Sequence, residues 1–115
     1  MECYLDNSAT TKPCKAAVDA EISALTELYG NPSSLHQKGV DAYMLLEKSR
    51  GTIAASLKAS PDEIYFTPCG TVSNNTAIFG AVGAKKRLGK KIVTTDLEHP
   101  SVEKCMERLE ESGFE

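Results

Sequence analysis

Apolar residues recur at helical spacing early in the chain. Val18, Ile22, Leu25 and Tyr29 stand three to four positions apart, which predicts a helix with one apolar face. Pro13 marks its start, because a first-turn residue loses nothing by lacking an N–H, and Gly30-Asn31-Pro32 marks its end. A second helix is expected from about Gly39 to Lys58, with Tyr43, Leu46, Ile53 and Leu57 on its stripe and Arg50 on the same side. Pro61-Asp62 stops it. The pattern then changes. "EIYFT" and "KKIVTT" are short β-prone runs, each followed by a turn and a helical pattern, one beginning near Thr71 and the other near Pro100. Two strand-turn-helix units in succession predict an α/β protein with parallel strands, whose ligands gather outside the carboxyl ends of the strands. Both turns, Pro68-Cys69-Gly70 and Asp96-Leu97-Glu98-His99, fall there.

Composition narrows the function classes. A chain of 115 residues with 25% charged and 41% hydrophobic positions has the make-up of one modest soluble domain. A net charge of -3 suggests neither a nucleic acid nor an anionic membrane as partner. The basic run Lys85, Lys86, Arg87, Lys90, Lys91 reads as a solvated helix end and loop. No stretch has the length of a membrane span, and Met1-Glu2-Cys3-Tyr4-Leu5-Asp6 is not a signal peptide, so a cytoplasmic location is the default expectation. Cys3, Cys14, Cys69 and Cys105 form no C-x-x-C pair, so no metal site is expected and the thiols are read as reduced.

The turns carry the candidate chemistry. The first N–H groups of a helix lack partners within it, and the helix dipole adds positive charge there, so the Gly70-Thr71 turn favours an anion such as phosphate. Thr71 either adds a hydroxyl donor or caps the helix by accepting from the N–H of Asn74. It is not a Walker loop, for no G-K-[ST] follows. His99 precedes a proline and so takes extended geometry; its imidazole can stack on a flat ligand, move a proton, or cap the following helix. Cys69 is read as a small residue filling the turn, although a helix start lowers a thiol pKa. Asn74 and Asn75 either orient a ligand or cap the turn. His36, in the loop "SSLHQKG", is a weaker candidate.

Five blocks now occur in order: "YLDNSATTKP", "YGNPSSLHQKG", "SR" before an apolar helix, "DEIYFTPCGTVSNNTAIFGA" and "KKIVTTDLEHPSVEKCMERLEESGFE". Together they resemble the amino-terminal quarter to third of the cysteine desulfurases, the pyridoxal-phosphate enzymes of class V aminotransferase fold. The resemblance covers essentially the whole chain. It implies part of the large domain of an aspartate-aminotransferase-like fold, helix-rich, with an extended leading segment at 1–14, two helices joined by the "GNPSS" loop at 15–58, and the two strand-turn-helix units at 59–115. It also implies that Gly70 and Thr71 receive the phosphate of pyridoxal 5'-phosphate, and that His99 stacks on its pyridine ring and takes part in proton transfers. Asn31 and His36 lie in segments that resemble those near the substrate entrance. The chain departs from the family at Cys69-Gly70-Thr71-Val72, where G-G-T-E or G-A-T-E is common.

The implied activity is removal of sulfur from L-cysteine, giving alanine and an enzyme persulfide, in the service of iron–sulfur cluster biogenesis. That chemistry needs a lysine to hold the cofactor, a carboxylate for the pyridinium nitrogen and a cysteine to receive sulfur. In the family all three lie beyond the region resembled here, and no lysine of this chain sits in a matching motif. The expectation is therefore a catalytically incomplete stretch. Two other readings stand beside it: half of a split enzyme completed by a second polypeptide, and a non-catalytic interaction or anion-binding module. Exposed strand edges would pair with another chain, so a homo-oligomer is expected.

Overall fold

The computed structural model describes residues 3–115. The chain forms two compact units, a first that runs through Ile64 and a second, Tyr65–Glu115.

In the first unit, the segment expected to be extended folds back at residues 7–9, where the Asp6 carbonyl accepts from the Ala9 N–H at 3.2 Å. The Tyr4 hydroxyl also reaches the Asp6 carbonyl, at 2.9 Å. Helix α1 spans Lys15–Thr26 and buries no residue. It stops short of the Gly30-Asn31-Pro32 breaker because the Ser23 carbonyl takes the N–H groups of both Glu27 and Leu28, at 2.9 and 3.1 Å. Tyr29 therefore leaves the expected stripe. Its ring instead lies 5.4 Å from the Lys38 ammonium, which also donates to the Glu27 carbonyl at 3.1 Å.

Gly30 does not act as a helix cap. A Cβ there would meet the Lys38 carbonyl oxygen at 2.0 Å, and one on Gly39 would meet the Ser34 carbonyl oxygen at 2.2 Å. The two glycines let the "GNPSS" loop lie directly on the start of α2, Gln37–Leu57. The same closeness decides which side of α2 is buried: Gly39, Ala42 and Ala54 are covered, whereas Tyr43, Ile53 and Leu57 of the expected stripe remain exposed. The helix closes on Lys58 in the left-handed conformation (φ 54°). Ala59 N–H donates to the Ala54 carbonyl and Lys58 N–H to the Ala55 carbonyl, at 2.9 and 3.3 Å, which is a Schellman ending with lysine where glycine is usual. A short 3-10 turn, Pro61–Glu63, follows, and Arg50 ties it to α2 by donating to the Ile64 carbonyl while pairing with Glu47 at 3.0 Å.

In the second unit, helix α3 spans Gly70–Lys85 and α4 spans Pro100–Glu111. They pack on each other. The covered stripe of α4 is Ser101, Cys105 and Leu109, one residue per turn; the least exposed side of α3 carries Asn74, Asn75, Ile78, Phe79 and Val82. Small and polar side chains thus occupy the upper half of the contact and apolar ones the lower. Helix α4 also closes in a Schellman motif, here on Gly113 (φ 83°), with Phe114 N–H reaching the Leu109 carbonyl at 3.1 Å.

The two β-prone runs do not form strands among the described residues. Apart from Glu63, which ends the 3-10 turn, both lack regular structure, because a strand is defined by ladder hydrogen bonds and these stretches supply almost none. The exception is a single parallel-type pairing: Glu115 N–H donates to the Lys90 carbonyl at 2.8 Å, and Ile92 N–H to the Glu115 carbonyl at 2.7 Å. No helix among the described residues is long and apolar enough to cross a membrane.

Candidate cofactor site

The two helix starts of the second unit line one open depression of about 330 Å³, formed by Gly70, Thr71, Asn74, His99 and Ser101. They are built differently. Helix α3 begins one residue earlier than expected, with Cys69 as its cap residue in extended conformation and no side-chain cap. Thr71 therefore sits inside the first turn rather than at the cap, and does not take the N–H of Asn74. The first helical bond runs from the Ser73 N–H to the Cys69 carbonyl at 3.1 Å. The amides of Gly70, Thr71 and Val72 precede it, and no described backbone or side-chain group accepts from them. A Cβ on Gly70 would meet nothing within 4 Å, so the approach to these amides is open. Three N–H donors in the first turn, at the positive end of a helix of 16 residues, suit an anionic phosphate.

Helix α4 begins closed. His99 is its cap residue, and its Nδ1 accepts from the Ser101 N–H at 3.1 Å. Pro100 occupies the first helical position, where the missing N–H is no loss. Of the roles the sequence leaves open for His99, capping is therefore present in the structure, and it engages only one ring nitrogen.

A polar network crosses from α3 to α4 behind this depression. Asn74 Nδ2 donates to Ser101 Oγ at 2.8 Å, and Ser101 Oγ lies 2.8 Å from His99 Nδ1. One turn further, the Cys105 thiol lies 2.7 Å from Asn75 Oδ1 and 3.1 Å from the Ser101 carbonyl. Ser101 is 8% exposed and Cys105 1%, so these bonds satisfy polar atoms that have little access to water. Neither Ser101 nor Cys105 is a site candidate on sequence grounds, and Asn74 and Asn75 stand there between ligand and cap. The available signal was the spacing Ser101, Cys105, Leu109, a covered stripe at four-residue intervals.

The weaker candidates belong to the first unit and serve its local structure. Asn31 Oδ1 accepts from the Ser33 N–H at 2.9 Å, and its carbonyl accepts from the Ser34 N–H at 2.9 Å. His36 caps α2 by accepting the Gly39 N–H at Nδ1, 3.3 Å. Among the described residues no group of His, Cys, Asp or Glu side chains has the arrangement of a metal site. Cys69 is an exposed free thiol at the mouth of the α3 turn.

The profile of the class-V aminotransferases matches residues 3–115. The chain belongs to that family. Among curated class-V relatives, a NifS/IcsS protein homolog of Lactobacillus delbrueckii subsp. bulgaricus is 50% identical over 111 residues, which is 96% of this chain and 29% of the relative. Cysteine desulfurase IscS of Neisseria meningitidis is 44% identical over 113 residues, 97% of this chain and 28% of the relative. The chain thus spans less than a third of the length of the curated relatives it matches. A solved NifS-like protein superposes with a TM-score of 0.87 at 36% identity, covering 100% of this chain and 32% of that one. A structure of SspA in complex with cysteine matches with a TM-score of 0.82 at 30% identity, over 97% of this chain and 32% of that one. The fold is accordingly that of the corresponding portion of a NifS-like, pyridoxal-phosphate-dependent class-V enzyme.

Proposed function

We propose that this stretch supplies the phosphate hold and the ring-side histidine of a pyridoxal-phosphate-dependent cysteine desulfurase acting on L-cysteine. The observation that carries the reading is the open start of α3: unpaired amides at Gly70, Thr71 and Val72, of which Gly70 and Thr71 line the same depression as His99. The residues present fit the group. The amides bind the phosphate dianion, the helix dipole adds to that attraction, and the Thr71 hydroxyl stands in the same turn. His99 presents an imidazole beside the phosphate position, suited to stacking on a flat ring, with Nε2 available to hold or move a proton. The bound cofactor supplies the electron sink through which bonds at the amino-acid carbons are weakened. Cysteine as substrate rests on the relatives, which carry the name cysteine desulfurase. On this reading the lysine that holds the cofactor and the cysteine that receives sulfur lie outside these residues, and the stretch alone turns over no cysteine.

The test is a titration of the 15N-labelled chain. Pyridoxal 5'-phosphate is expected to shift the amide resonances of Gly70, Thr71 and Val72 saturably, while pyridoxal without the phosphate leaves them in place. An equal response to both compounds, or no response to either, overturns the reading.

A further inference from the structure

We propose that Ser101, held by Asn74, is a positioning residue that locks the His99 ring in its Nε2–H tautomer and ties it to the helix whose start receives the phosphate. The inference rests on the assignment of His99 as the ring-side residue. It begins from a donor whose direction is fixed. The Ser101 backbone N–H points at His99 Nδ1 from 3.1 Å, and a backbone amide can only donate, so Nδ1 must offer its lone pair. A neutral imidazole with an accepting Nδ1 carries its hydrogen on Nε2.

The side chains reinforce this assignment. Asn74 Nδ2 donates to Ser101 Oγ, which leaves the single hydroxyl proton of Ser101 to be directed elsewhere, and His99 Nδ1 is 2.8 Å away. With Nδ1 already accepting from the Ser101 N–H, the relay runs from the Asn74 amide through the Ser101 hydroxyl to His99 Nδ1, whose one lone pair the two Ser101 donors share. Ser101 is 8% exposed and Asn74 half-buried, so water competes weakly for these bonds. The anchoring residue is also well placed: Asn74 lies one helical turn beyond Gly70, so the ring is referenced to the turn that presents the phosphate-binding amides. The ligand in the depression then meets a ring of fixed tautomer, with an N–H at its one unengaged nitrogen.

The experiment reads the tautomer directly and needs no cofactor. Long-range 1H–15N correlation spectra of the labelled chain, at a pH where the ring is neutral, are expected to show the Nε2–H pattern for His99. Ser101→Ala should lower the ratio of Nε2–H to Nδ1–H about fivefold, the equivalent of about 1 kcal/mol for one net hydrogen bond. Ser101→Thr, which keeps the hydroxyl, should restore it. Asn74→Ala leaves α4 untouched and should move the ratio in the same direction by about twofold, which keeps the proposal testable if Ser101→Ala fails to fold. A predominant Nδ1–H form in the unaltered chain, or a ratio indifferent to both alanine substitutions, overturns the positioning role. That outcome leaves the Gly70–Val72 response to pyridoxal 5'-phosphate standing. Conversely, a missing amide response beside an intact tautomer ratio overturns the cofactor reading and not the role of Ser101.

Discussion

Helices α3 and α4 each follow an irregular segment and a short turn, yet one begins with its donors free and the other with a donor occupied by its own cap. Cys69 has the backbone geometry of a cap residue but a side chain that does not cap, whereas His99 has both. The difference teaches what a helix start is for. Where the protein completes the turn itself, the end is structural; where it leaves the amides bare beside a capped neighbour, the turn has spare binding capacity. On the proposed reading the pairing also divides the labour: α3 supplies charge and donors, while α4 supplies an oriented ring.

The contact between these helices is the first place to break the comparison. Leu109→Ala removes one of the few buried apolar side chains and is expected to cost roughly 2–5 kcal/mol, measured by urea unfolding; retention of full stability would show that the two starts are not held together by this packing. Gly70→Pro removes a single donor from the open start. Proline suits the first helical turn, and Cys69 already has the extended geometry that a following proline requires. Stability should change little, while affinity for pyridoxal 5'-phosphate falls by about 1.5–3 kcal/mol, the loss of one hydrogen bond to a charged group. Unchanged affinity would remove the Gly70 amide from the site. The mildest change closes the open start: Cys69→Asp should cap α3, raise stability by about 1 kcal/mol and repel the phosphate. A thermal melt and a binding titration on the same sample check both signs.

The helices were legible wherever a residue acts locally. Pro100 opens α4 as expected, Pro61 opens the 3-10 turn rather than stopping α2, which already closes on Lys58, and α3 starts one residue before Thr71. Longer-range effects were not legible. Tyr29 fits the helical period of α1, but the Ser23 carbonyl captures two amides and ends the helix first. Tyr43, Ile53 and Leu57 fit a core stripe, but the close approach at Gly39 selects the alanine side of α2 for burial. The β-prone runs form no strand among the described residues, beyond the pairing of Lys90 and Ile92 with Glu115, because a strand's identity resides in its neighbours. At the site, Gly70, Thr71 and His99 could be chosen from turn chemistry alone and line one depression. Ser101 could not, since its importance comes from Asn74, a residue 27 positions away.

The two loop glycines have a consequence for how this chain tolerates change. At Gly30 and Gly39 any side chain would collide with backbone oxygen, while at Gly51 and Gly80, inside α2 and α3, a Cβ meets nothing within 4 Å. A saturation library selected for folding should therefore sort one residue type into two opposite classes. Gly30 and Gly39 should lose every alternative, whereas Gly51 and Gly80 should accept alanine with a gain of roughly 0.5–1 kcal/mol each. The fixed pair marks the loop joint as the least evolvable point of the first unit, and the tolerant pair marks where stability can be added without touching the site.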